Sequence, residues 1–183
     1  NTNNALVIAD SNAAGGEIDV TITNNGTITA ATSDGLNFSA LDGGRLDITN
    51  TGSLSSSSSG TSNAINGNGA EGLIFLTNSG TIGNTNSRAL DLQNLNGYFR
   101  LVNSGSVNSN QSVIDLTGAS GSSATAVEIY NGYVLASEGT VSAATSGARE
   151  LLSDGSDTIL LDNVQGNITL ANAANASIIA EDS

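Results

Sequence analysis

Asp91 in "ALDL" (89–92) and Asp115 in "VIDL" (113–116) hold the same place in two similar stretches. Were a fold to stack those stretches, the two carboxyl groups would lie about 5 Å apart. At that separation a retaining glycosidase uses one as nucleophile and the other as acid and base. The aligned column runs Asn37, Asn66, Asp91, Asp115, Glu150, with no arginine in it, and the chain has neither histidine nor lysine to assist. A solvated acidic stripe on a polar face is therefore the expectation. A second candidate is "SDGSDTIL" (153–160), where Asp154 and Asp157 flank Gly155 as in calcium-binding nonapeptide repeats. Such repeats run in tandem, whereas this motif stands once, with an echo in "LDGG" (41–44). A structural turn is expected there; calcium is the minor alternative, and no other metal or cofactor is expected. The six aromatic residues are Phe38, Phe75, Phe99, Tyr98, Tyr130 and Tyr133, few for a sugar-stacking cleft. Core or corner packing is expected of them, with Tyr98 and Tyr130 as the pair able to reach a glycan.

Composition removes several function classes. The chain has 183 residues, 17 carboxylates, four arginines (Arg45, Arg88, Arg100, Arg149) and a formal net charge of −13. That balance excludes a phosphate-binding face, hence nucleic acid, and charge-driven adhesion to anionic lipid. Without cysteine or histidine there is no disulfide, no thiol chemistry and no ordinary zinc site. No apolar run is long enough to cross a membrane as a helix, so no membrane insertion by this segment is expected. With Asn at position 1 and no signal peptide, the chain is expected to be a processed or excised piece, a single domain spanning 1–183.

The elements that would position those residues come from a repeat. Asn24, Asn50, Asn78, Asn103, Asn131 and Asn163 recur at a near-regular interval. Two residues before each stand Ile22, Ile48, Leu76, Leu101, Ile129 and Leu161; four before stand Val20, Leu46, Ile74, Phe99, Val127 and Ile159. The residues between vary freely, as in a strand with one buried face. Glycine follows the Asn at Gly26, Gly52, Gly80 and Gly105, where a positive φ at a corner is expected. An aliphatic comes next at Ile28, Leu54, Ile82 and Val107, and the spacing slips to Val134 and Ile168 in the last two copies. A second strand reads "GLNF" (35–38), "AING" (64–67), "ALDL", "VIDL" and, less cleanly, "AREL" (148–151). The pattern predicts an all-β parallel β-helix, or β-solenoid, of about six to seven coils of roughly 25–28 residues with three short strands each. Stacking then sets aliphatic on aliphatic and Asn amide on Asn amide.

The stretches "NSGTI" (78–82) and "NSGSV" (103–107), followed by "ALDL" and "VIDL", resemble autotransporter (type V secretion) passenger repeats. The resemblance runs from about Val20 to Ile168 and implies a right-handed β-helix, extracellular or on the surface of a Gram-negative bacterium. Such passengers serve as adhesins, biofilm factors or toxin scaffolds. A non-enzymatic surface adhesin or scaffold is expected; its partner would be a host or bacterial surface receptor, a glycan, or copies of itself. Two alternatives stand beside it. One is a head-to-tail filament subunit, since "ALVIAD" (5–10) and "ASIIAED" (176–182) both read as second-strand segments. The other is a carbohydrate-active β-helix enzyme, which predicts basic residues beside the acids.

Overall fold

The computed structural model describes residues 4–9, 19–57, 61–118, 124–137, 140–162, 164 and 166–181. In the segment 45–50, "RLDITN", every second side chain is aliphatic or amide. Leu46, Ile48 and Asn50 are buried, while Arg45, Asp47 and Thr49 stay partly exposed. Such a strand must lay one face on something apolar, and here each strand lays it on the rest of its own coil.

The first coil consists of β1 (Leu6–Ala9), β2 (Asp19–Asn24) and β3 (Thr27–Ala30). The second has β4 (Leu36–Ala40), β5 (Arg45–Asn50) and β6 (Ser53–Ser56), and the third β7 (Ile65–Asn66), β8 (Glu71–Asn78) and β9 (Thr81–Asn84). The fourth has β10 (Leu90–Asp91), β11 (Asn96–Asn103) and β12 (Ser106–Ser109). The fifth begins with β13 (Ile114–Thr117) and β14 (Ala124–Asn131), then departs into β15 (Tyr133–Ser137) and β16 (Thr140–Ala143) before β17 (Glu150–Asp154). The last holds β18 (Ile159–Asp162), β19 (Asn167–Asn172) and β20 (Ser177–Glu181).

Each strand pairs in parallel with its counterpart one coil on, which produces three 6-stranded sheets. Sheet A is β1-β4-β7-β10-β13-β18, sheet B is β2-β5-β8-β11-β14-β19, and sheet C is β3-β6-β9-β12-β17-β20. The six stacked rungs thus form an all-β parallel β-solenoid of about 5 turns from first rung to last, with three strands per coil. Among the described residues there is no helix. Stacked columns fill the interior. Sheet A contributes Leu36, Ile65, Leu90 and Ile114; sheet B contributes Leu46, Ile74, Phe99 and Val127; sheet C contributes Leu54, Ile82, Val107 and Leu151. Parallel rungs rise about 4.8 Å apart, so like side chains meet along the axis at van der Waals distance.

Of the glycines after the Asn column, Gly52, Gly80 and Gly105 are needed for closeness, not for φ, whereas a Cβ on Gly26 would meet nothing. Gly26, Gly52, Gly80 and Gly105 do not carry positive φ, contrary to the expectation. A Cβ on Gly52 would fall 2.0 Å from the Gly26 carbonyl oxygen, and Gly80 and Gly105 would each meet the glycine below at 2.0 Å. Coil lies on coil at this corner with no room for a side chain.

The fifth coil corrects several expectations together. After Asn131 the chain leaves the corner as the antiparallel β15–β16 hairpin and rejoins where the Ala144 amide bonds to the Gly132 carbonyl at 2.7 Å. Val134 lies in the hairpin, and Leu151 takes the place beside Val107 that the pattern assigned to it. Displaced by that insertion, Ile159 and Leu161 pair with Ile114 and Leu116 in sheet A and not with the sheet B columns. Sheet B is completed by Ile168 and Leu170, opposite Val127 and Ile129. Asn172 stands opposite Asn131, where Asn163 was expected; Asn163 itself lies outside the described residues. "AREL" leads into β17 of sheet C, not a second strand, because Glu150 pairs with Ser106. Likewise β20 of "ASIIAED" belongs to sheet C, whereas β1 of "ALVIAD" belongs to sheet A, so the two are at different phases of the coil.

Candidate functional site

Polar side chains cluster in three places. The first is the Asn column, at the corner where sheet B turns into sheet C. Asn24 donates through Nδ2 to Oδ1 of Asn50 at 2.7 Å, Asn50 to Asn78 at 2.7 Å, and Asn78 to Asn103 at 2.8 Å. The series continues from Asn103 to Asn131 at 2.8 Å and from Asn131 to Asn172 at 2.9 Å. Each Nδ2 also donates to a backbone carbonyl of the coil above: Ser53, Thr81, Ser106, Glu150 and Ser177 in turn. The ladder crosses the hairpin insertion unbroken. From Asn24 to Asn131 its members are buried and their hydrogen bonds are satisfied within the chain, so it holds the corner and offers nothing to a ligand. The aliphatic residues two before the Asn, Ile22, Ile48, Leu76, Leu101 and Ile129, face the core beneath it.

The second place is the outward side of sheet A. Its column is Asn37, Asn66, Asp91, Asp115 and then Leu160, with Glu150 replaced by the hairpin shift. Asp91 and Asp115 are therefore neighbours, but not a solvated stripe: their relative exposures are 6% and 1%. Arg88, placed in the turn before β10, reaches back over both. Its Nε lies 2.6 Å from Asp115 Oδ2 and its Nη1 3.9 Å from Asp91 Oδ2. Gln93 donates through Nε2 to Asp115 Oδ2 at 3.1 Å and to Thr117 Oγ1 at 2.9 Å, while Asn63 donates to Asp91 Oδ2 at 3.1 Å. Asp34 extends the network, accepting from Asn37 at 2.7 Å, Asn66 at 2.9 Å and the Asn63 amide at 2.7 Å. Burial pushes the Asp91 carboxyl above the ordinary carboxylate range; the Gln93 amide and Arg88 oppose it and the Asp115 charge adds to it. These carboxylates are turned into hydrogen bonds within the chain. The column offered no sign of Arg88, which comes from outside it.

Asp154 and Asp157 are both exposed, around a turn that Gly155 makes with φ at 123° and that Ser153 closes through Oγ to the Ser156 carbonyl at 2.8 Å. Among the described residues no group of three Asp or Glu side chains is placed to hold a metal ion.

The third place is the outer face of sheet B, and it gathers what the other two lack. Phe38 and Phe99 are in the core, but Phe75, Tyr98, Tyr130 and Tyr133 are partly exposed on this side, against the expected packing role. Register builds the face: Asp47, Phe75, Arg100 and Glu128 stack in one outward column. Arg45, Leu73 and Tyr98 stack in the next, and Thr49, Thr77, Val102 and Tyr130 on the other side. The Phe75 ring is 5.2 Å from Tyr98, and the guanidinium carbons of Arg45 and Arg100 lie over it at 4.4 and 5.1 Å. Arg45 is also forked onto Asp47, at 2.6 and 3.0 Å. The Tyr98 and Tyr130 hydroxyls both interact with the Glu128 carboxylate. Burial first, and that carboxylate next, push Tyr98 up to about 12, and the same causes raise Tyr130. Tyr130 and Tyr133 meet edge to face at 5.8 Å, and Leu135 of the hairpin lines a trough with Arg45, Asp47, Phe75 and Arg100. The signal in the sequence was the variable outward position itself, Asp47, Phe75, Arg100, Glu128, whose members become one surface only when the coils are stacked.

Comparison with protein family models, with curated proteins and with solved structures finds no match to this chain.

Proposed function

We propose that this chain is a non-enzymatic extracellular β-solenoid, an adhesin or scaffold of the autotransporter passenger type at a Gram-negative bacterial surface. It meets its partner through the outer face of sheet B. One observation carries the reading: four of the six aromatic residues and two of the four arginines share a single outer face, partly exposed, on a scaffold whose other polar clusters are self-satisfied. Aromatic and arginine side chains are the ones that most often anchor contacts, because they offer large area at low entropic cost. The repeat resembles passenger repeats, and a stack of self-supporting coils can present such a face at a distance from a cell. Beads coated with the purified chain should adhere to epithelial or bacterial cells. The double variant Phe75→Ala, Tyr98→Ala should lose that adhesion while keeping its far-ultraviolet circular dichroism. Undiminished adhesion by the folded double variant would overturn the reading.

A further inference from the structure

We infer that the ligand of the sheet B face is a neutral, hydroxyl-rich saccharide lying along the solenoid axis; the inference rests on the assignment of that face as the contact surface. Three properties of the face select the ligand. Apolar surface for the C–H face of a pyranose is offered by Leu73, at 47% exposure, and by Tyr98, which is propped beside the Phe75 ring that Arg45 and Arg100 cover. Groups that bond hydroxyls stand along the axis in the column of Phe75: the carboxylates of Asp47 and Glu128 accept, and Arg100 donates. Arg100 is stacked on Phe75 and has no hydrogen-bond or ion-pair partner among the described residues, so its N–H groups are open to a ligand.

Charge decides between kinds of sugar. The chain as a whole carries −13, and on this face Asp19, Asp47 and Glu128 stand against Arg45 and Arg100, with both arginines held over the Phe75 ring at the centre. A polyanion would be repelled by the rest of the molecule and by the three carboxylates of the face; a polycation would have to set its charge against the two guanidinium groups over Phe75. A neutral saccharide meets neither penalty. The groups of the trough remain partly exposed, which suits a sugar chain held by several weak contacts. A protein partner's anchors usually need deep, fully desolvated pockets.

The protein supplies its own reporter. It contains no tryptophan, and all three tyrosines (Tyr98, Tyr130, Tyr133) are on or beside this face. Tyrosine emission of the full chain would be titrated with short neutral oligosaccharides (glucans, galactans, mannans), with uronate oligomers and with glucosamine oligomers. The expected result is a saturable change with at least one neutral series. Affinity should weaken about tenfold or more in Phe75→Ala, and measurably in Arg100→Gln, both folded by circular dichroism. Binding of uronates or glucosamine oligomers in preference to neutral sugars would overturn the inference. So would the absence of any sugar binding by a chain whose cell adhesion still depends on Phe75, an outcome that points to a protein receptor and leaves the contact face standing. Cell adhesion that ignores Phe75 removes the face, and the inference with it.

Discussion

Asn78 accepts from Asn50 below and donates to Asn103 and the Ser106 carbonyl above, with no exposed surface. In Asn78→Asp an oxygen would replace that donor and point at two acceptors. The expected cost is about 3 kcal/mol or more, read as a shift of the urea midpoint. At the upper end of the ladder, Asn172 is exposed and, among the described residues, donates only to the Ala176 carbonyl at 3.0 Å. Asn172→Asp should therefore cost under about 1 kcal/mol, and equal losses would show that the ladder does not stabilise the corner. The same contrast holds across one strand. Ile48→Asp buries an unpaired charge at a position 2% exposed, for several kcal/mol, whereas Asp47→Ile gives up a half-exposed ion pair worth roughly 0–1 kcal/mol. Asp91 makes a prediction with pH. Its carboxyl is raised, so the folded chain holds a proton at pH values where the unfolded chain has lost it. The ionised form thus costs stability at neutral pH, and that cost disappears as pH falls through the folded value toward the ordinary one. Asp91→Asn should melt higher than the parent chain at pH 7, with the difference closing in the acid range; a pH-independent difference would refute it.

At the scale of elements, sheet B was legible because its strands alternate cleanly and end on the same amide. Sheet A was less so: β7 and β10 are two residues each, too short to show a period, and only their stacking on longer neighbours defines them. The hairpin was the main omission. Tyr133–Ser137 is a short run rich in strand-forming apolar residues and Thr140–Ala143 alternates, with Gly139 between them in sequence, which is a hairpin signal. The regular interval of the repeat had drawn Val134 into the corner column instead. Because the hairpin leaves and returns at adjacent backbone atoms of Gly132 and Ala144, joining those two residues and deleting 133–143 should preserve the solenoid. The cost should be modest. Val102 faces outward yet is 1% exposed, whereas Thr49 and Thr77 of the same column are partly open, so the hairpin must cover it. Uncovering one valine costs about 1–2 kcal/mol, a small decrease in melting temperature with unchanged circular dichroism. Loss of the cooperative transition would mean that the hairpin is part of the coil's core.

For the whole molecule, a solenoid ties each coil only to its neighbours, so stability has a profile along the axis. The second to fourth coils bury their aliphatic columns almost completely: Leu36, Leu46, Leu54, Ile74, Ile82 and Leu90 are all at 0%. In the sixth coil the corresponding residues are open, Ile168 at 48% and Leu170 at 51%, and β19 has a strand on one side only. Opening should therefore begin at β18–β20 and advance inward coil by coil. Native-state hydrogen exchange is expected to give amides of β5, β8 and β11 the highest protection, with a graded decline to β19. Two substitutions test the profile against a single cooperative unit. Ile74→Ala, in the third coil, should cost about 2–4 kcal/mol and lower protection on both sides of it. Leu170→Ala, half exposed already, should cost under about 1 kcal/mol and speed exchange in β18–β20 alone. If either variant lowered protection equally everywhere, the coils would be unfolding together, and the contact face of sheet B would have no more rigid a base than the last rung.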